Sequence, residues 1–297
     1  MSAQPTLELP VGRRVRPPMP RLWAQLSRVR RNTIGITGAA IILVTVLVAL
    51  VGPSAWHASY AGQVSRRLLP PVPAHPLGTD QLGRDELSRI IHGAQVSLQV
   101  GMISVVIALV AGTTIGIIAG FYGHTVDALL MRLVDVMFAF PGLVLAIVIA
   151  GLLGPSRTNA MIAIGIVYAP AFARVVRGST LSVLSLPYVE AARSLGISDI
   201  RIVLRHLLPN ITAPLIVLTT VYLSTAILTE AALSFLGLGT QPPEPSWGSM
   251  LNASRSYMER APWLAIAPGL AIMVVVLGFN FLGDGLRDVL DPQLRDA

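Results

Sequence analysis

No lysine occurs anywhere in the 297 residues, and all 22 basic residues are arginine. A phosphate-gripping loop of the Walker A kind needs a lysine before its serine or threonine to reach the β- and γ-phosphates. The chain therefore carries no ordinary P-loop of its own. Cysteine is absent as well, which excludes disulfides, thiol catalysis and cysteine metal sites. Charge is scarce: 12% of residues are charged, against about a quarter in a soluble domain of this length.

What fills the chain instead is apolar. Hydrophobic residues make up 53% of it, and the mean hydropathy is +0.68. Together with several apolar runs near 20 residues, this places the chain in a bilayer. Six transmembrane helices are predicted, near Ile34–Gly52, Val96–Ala119, Val136–Leu153, Asn159–Val175, Ala213–Leu236 and Trp263–Leu282. Each is long enough, at 1.5 Å per residue, for a hydrocarbon core of about 30 Å. Residues 1–33 form a polar tail with seven arginines against the single acid Glu8, and a short basic helix over Arg21–Arg31 is expected on the membrane surface. The apolar run after this tail exceeds a signal-peptide h-region and lacks a convincing cleavage site, so an uncleaved anchor is expected. The expected organisation is the tail (1–33), the anchor span with an external linker (34–76) and an all-α membrane domain (77–297).

An even number of spans puts both termini on one side. If that side is cytoplasmic, 15 arginines lie inside and 7 outside, so the positive-inside rule favours a cytoplasmic N-terminus.

Against this apolar background, YVEAARSLGISDIRIVLRHLLPN (Tyr188–Asn210) concentrates charge between two spans. Pro187 suits the first turn of a helix. Tyr188, Ala191, Ala192 and Leu195 recur at i, i+3, i+4 and i+7, predicting one thin apolar face. Gly196 is expected to end the helix in a left-handed conformation. Ser198 can cap a second helix, with Ile200, Val203, Leu204, Leu207 and Leu208 on one face and Arg201 and Arg205 opposite. Pro209 is expected to stop that helix before the fifth span. On period and composition, the pair reads either as an interfacial amphipathic connector or as an arm offered to a partner.

Glu190-Ala191-Ala192, Gly196 and Leu208-Pro209 resemble the EAA signature of permease subunits of ABC importers. The departure is His206, where that family usually has an aliphatic residue. HPLGTDQLGRDELSRIIHGAQVSLQVG (His75–Gly101) and LSFLGLGTQPPEPSWGSML (Leu233–Leu251) resemble segments of the dipeptide/oligopeptide/nickel branch, and the anchor with its linker resembles the second permease of such pairs. The resemblance implies that residues 187–210 are a coupling helix docking on a separate ATPase. Glu190, Ala191, Ala192, Arg193, Gly196, Ser198 and Asp199 are then the ATPase-coupling residues. It further implies a second permease, cytoplasmic ATPase subunits that hold ATP and Mg, an extracytoplasmic substrate-binding protein and surrounding membrane lipid. No nucleic acid is implied, and no cofactor in this chain. The expected place is the bacterial inner membrane with both termini cytoplasmic. The expected cargo is di- or oligopeptides, with nickel complexes or other small solutes as the alternative.

Other features carry expectations of their own. Gly112, Gly116 and Gly120 form a small-xxx-small stripe for close helix packing. Pro141, Pro170 and Pro214 can kink their spans. Glu230 is an intramembrane carboxylate that needs a partner or a wet cavity. It reads equally as a pathway residue contacting a peptide's amino group and as a helix-packing or capping group. As the coupling carboxylate, it would also serve a gradient-driven secondary transporter, the alternative from another class; a non-transporting membrane anchor is a third reading. Asp127, Arg132 and Asp135 read as an interfacial charge cluster. Asp85 and Arg89 are spaced for an i, i+4 pair on an amphipathic elbow helix with Leu82, Ile90 and Ile91 in the outer interface. The five histidines show no ligand spacing, so no metal site is expected.

Overall fold

In a bilayer every backbone polar group must find its partner inside the protein, which favours helices. The computed structural model describes residues 32–290, and among these only helices, turns and two isolated bridges occur. The helices are α1 (Thr33–Ala55), α2 (Glu86–Tyr122), α3 (His124–Phe138), α4 (Gly142–Leu153), α5 (Arg157–Leu184), α6 (Pro187–Ser194), α7 (Asp199–Ile202), α8 (Leu208–Phe235), α9 (Trp247–Ser254) and α10 (Trp263–Leu290). The expected basic helix over Arg21–Arg31 lies outside the described residues.

Among the described residues, five helices are long and apolar enough to cross a membrane, and α3 with α4 makes a sixth if the bent pair is counted as one broken span. The third span is thus not the straight helix expected over Val136–Leu153. Its two halves meet at 93°, because Pro141 has no N–H to continue α3 and biases Phe140 away from helical backbone. Pro141 then stands at the N-cap of α4. The second span also differs. The expected elbow helix on the outer surface is instead the start of the 37-residue α2. Asp85 caps that helix, accepting from Ser88 N–H at 2.7 Å, and it also accepts from Trp56 Nε1 and pairs with His75. The expected Asp85–Arg89 pair is replaced by contacts of Arg89 to Asp80 and to the Tyr60 carbonyl.

The centre of the bundle is the seam between α2 and α5. Gly112, Gly116 and Gly120 face α5 so closely that a methyl group on any of them would overlap the carbonyls of Ala169 or Ala173 or the side chain of Thr180. Without a hydrophobic drive between helices in lipid, such backbone approach is what maximises dispersion contact. A core of Val100, Val105, Ala146, Ile164, Phe172 and Leu233 joins α2, α4, α5 and α8. A second, with Ala49, Ile227, Trp247, Val275 and Phe279, joins α1 and α10 to α2, α8 and α9.

Candidate functional site

The loop between α5 and α8 begins with a helix whose limits are set by its sequence. Pro187 occupies the first turn of α6, Glu190 falls in that turn and Arg193 in the last one, each favourable to the helix dipole. The helix ends where Gly196 takes φ +74°. There Ile197 N–H donates to Ala192 O at 3.2 Å and Gly196 N–H to Arg193 O at 2.9 Å. This reciprocal pair is a Schellman motif, and only glycine enters that backbone region without strain.

The apolar face of α6 is not the expected one. Val189 is fully buried and Ala192 nearly so, whereas Ala191 points outward and Leu195 is 81% exposed. Val189, Ile202, Leu207 and Ile211 pack against Val176 and Val183 of α5. Arg193 is held separately, its guanidinium 4.8 Å from the ring centroid of Phe121 at the end of α2, a contact worth about 0.5–1 kcal/mol at such an exposed position.

The second arm departs further from expectation. Pro209 does not stop it. Asp199–Phe235 runs as one 37-residue helix, with a π-turn over Val203–Leu207. A proline inside an α-helix collides with the carbonyl four residues back, here that of Arg205. The wider turn, closed by Leu208 N–H to Val203 O, displaces that carbonyl and lets the helix continue. The turn also resets the face. Ile202, Leu207 and Ile211 are buried at spacings of five and four, while Ile200 is 74% and Leu204 59% exposed. Ser198 stands at the N-cap of α7 but makes no capping bond with its side chain. Asp199 lies in the first turn and is exposed.

The outcome is a two-sided loop. Its inner side is apolar and closed; its outer side displays Tyr188, Leu195, Ile200 and Leu204 among Glu190, Asp199, Arg201 and Arg205. Among the described residues, none of these charged groups has an ion-pair partner. Two ion pairs brace the ground beneath: Arg177 on α5 forks onto Asp127 of α3, and Arg174 reaches Asp135 at 2.8 Å. Arg132 of the expected charge cluster is exposed outside these pairs. The bracing pairs, the Phe121 stack and the π-turn escaped sequence reasoning. The only signal for the last was Pro209 inside an otherwise unbroken helical run.

Glu230 lies elsewhere, near the opposite end of α8, and is 1% exposed. Ser234 Oγ donates to its Oε1 at 2.7 Å, and the Ser97 and Ser246 side chains stand beside it. The residue is enclosed between α2, α8 and α9, so within this chain it has no open face toward a wet pathway.

The family model for the binding-protein-dependent transport system inner membrane component matches residues 112–296. The dipeptide transport system permease protein DppC of Alkalihalophilus pseudofirmus is 48% identical, over 92% of this chain and 90% of that one. The di/tripeptide transport system permease protein DppC of Pseudomonas aeruginosa is 45% identical over 94% of each. The glutathione transport system permease protein GsiD of Pectobacterium atrosepticum is 43% identical over 98% and 96%. Among solved structures, a chain of the MetNI methionine ABC transporter in an inward facing conformation shares the fold, with a TM-score of 0.56 and 19% identity over 67% of this chain and 95% of that one. Such membership displaces both the gradient-driven and the non-transporting readings. The chain belongs to the binding-protein-dependent transport system inner membrane component family, as a multi-pass permease of an ABC importer in the inner membrane.

Proposed function

We propose that this chain is one of two permeases surrounding the pathway of an importer for di- or oligopeptides. Its loop at 187–210 lies on the cytoplasmic face and docks on a separate ATPase that holds ATP and Mg. The observation that carries the reading is the two-sided loop: an inner face locked into the bundle and an outer face that leaves Leu195, Ile200 and Leu204 exposed beside charges that have no ion-pair partner among the described residues. An arm anchored in this way moves with the bundle as one body, which a transmitter of force requires. The arginine excess on the loop side supports the cytoplasmic assignment, and the printed names of the relatives support short peptides as cargo. ATP-driven approach of two ATPases would draw the loops of two permeases together and open the opposite side to a binding protein.

The chain has no native cysteine, so Ala191→Cys supplies a unique attachment point on the exposed side of α6. The expected result is a cross-link from that position to the ATPase in the assembled complex, together with ATP-dependent uptake of a labelled dipeptide by proteoliposomes. Uptake without ATPase subunits, or no cross-link in a complex that transports, would refute the reading.

A further inference from the structure

Every serine around Glu230 already holds a backbone N–H on its oxygen. Thr240 N–H donates to Ser234 Oγ at 3.1 Å, Trp247 N–H to Ser97 Oγ at 3.3 Å, and Ser249 N–H to Ser246 Oγ at 3.3 Å. Each hydroxyl then has its single proton left to give. Ser234 gives it to Glu230 Oε1, while Ser97 and Ser246 stand beside the same carboxyl. All three N–H groups belong to the segment between α8 and the end of α9. One carboxyl on α8 thus holds the Ser234 hydroxyl that receives the Thr240 N–H, with the hydroxyls that receive the other two N–H groups beside it.

Backbone packing places the segment on the same point. Gly248 lies against Ala231, the neighbour of Glu230, and a methyl group there would overlap the Ala231 carbonyl. Trp247 is buried, packs over Gly93 and donates from Nε1 to the Ile90 carbonyl at 3.1 Å. Among the described residues no arginine or histidine pairs with Glu230. Among the described residues its Oε2 and the Thr240 Oγ1 are buried without a hydrogen-bond partner, so the carboxyl engages the cluster through Oε1 and Ser234. At its other end the same helix begins at Asp199, and 37 residues span about 55 Å.

We propose that Glu230 is the positioning residue that ties the segment Leu238–Ser254 to the outer end of this long helix, so that a movement imposed at the Glu190–Asp199 loop reaches the outer surface. The proposal rests on the coupling role of that loop and assigns the carboxylate neither to cargo nor to protons. A helix held at one end by Val189, Ile202 and Leu207 and clasped at the other by Glu230 acts as a strut, and the outer segment rides on it.

The test uses the complete complex in nanodiscs, with partner subunits freed of cysteine and spin labels at Thr212→Cys and Ser256→Cys, both exposed positions. In the otherwise native chain the distance between labels is expected to be the same without nucleotide and with ATP and vanadate. In Glu230→Ala the distance distribution broadens. Stimulation of ATP hydrolysis by the loaded binding protein then falls about tenfold, the loss of one buried hydrogen bond, while assembly and unstimulated hydrolysis persist. Glu230→Gln, which keeps an acceptor for Ser234, recovers most of the stimulation. A purely structural role would lower stimulated and unstimulated rates together and overturn the proposal. So would a native distance that changes between nucleotide states, or an unaltered Glu230→Ala. If Glu230→Ala does not assemble, Ser97→Ala with Ser246→Ala decides: broadened distances support the strut, unchanged distances refute it. Failure of the coupling role itself shows separately, as a missing ATPase cross-link at Ala191→Cys.

Discussion

Replacing Gly196 separates two reasons a glycine can be required. No atom lies within 4 Å of the position a Cβ would take, yet the residue sits at φ +74°. Alanine therefore meets no steric clash and incurs only the left-handed backbone cost of about 1–2 kcal/mol. That corresponds to about a five- to thirtyfold shift away from the native loop if nothing else holds it. The buried Val189 and Ala192 on one side and Ile202 on the other do hold it, so Gly196→Ala should retain measurable uptake below that of the native complex. Asparagine, which tolerates this region better, should fall between alanine and glycine. Proline is a different perturbation. It fixes φ near −65° and removes the N–H that donates to Arg193 O, so the chain must leave α6 in another direction. The expected order of ATP-dependent peptide uptake in proteoliposomes is Gly, Asn, Ala, Pro, with the proline variant inserted and folded by thermal unfolding of the purified complex but uncoupled. Normal uptake by Gly196→Pro, or damage by alanine equal to that by proline, would refute the reasoning.

Two further perturbations test other parts of the structure. Leu195 makes little contact within the chain but would be covered on docking; Leu195→Ser should leave permease stability unchanged and weaken ATPase binding by about 1–2 kcal/mol, the part of a leucine's burial energy still available to it, measured by titrating ATPase subunits onto the purified permease pair. Gly116→Ala, forced against Ala173 and Val176, should destabilise the membrane domain by about 1–3 kcal/mol, whereas Gly178→Ala, with nothing within 4 Å, should be neutral or stabilising; thermal unfolding in detergent compares the two.

Much of this arrangement is legible in the sequence, and each failure has its own physical cause. Gly196 as a helix end and the glycine stripe on α2 rest on backbone requirements that few other residues meet, so the pattern alone suffices to read them. Which apolar residues of the loop face inward could not be read. A helix beside a membrane and a partner presents apolar side chains on more than one side, and period alone cannot tell Val189 from Leu195. The break before α4 was masked because Pro141 interrupts a stretch whose average hydropathy stays high. Pro209 misled in the opposite sense: proline usually ends a helix, and here a widened turn absorbs it. Glu230 was visible as an anomaly of composition, but the three serines that surround it come from positions as far apart as Ser97 and Ser246, and no local pattern joins them.

The π-turn makes the loop's outer surface a matter of rotational phase. Each residue in an α-helix advances the azimuth by about 100°, and Val203–Leu207 inserts its extra residue between the exposed Ile200 and the buried Ile211. Straightening that turn into regular α-helix with every residue kept would leave the membrane portion of α8 seated as before while turning Ile200 and Leu204 toward the bundle and Ile202 toward solvent. Deleting one residue with it would instead restore Ile202, Leu207 and Ile211 to one face at spacings of four and four. The orientation of the surface offered to a partner is thus set by a single residue of helical register, independently of the chemistry of the residues that make up that surface.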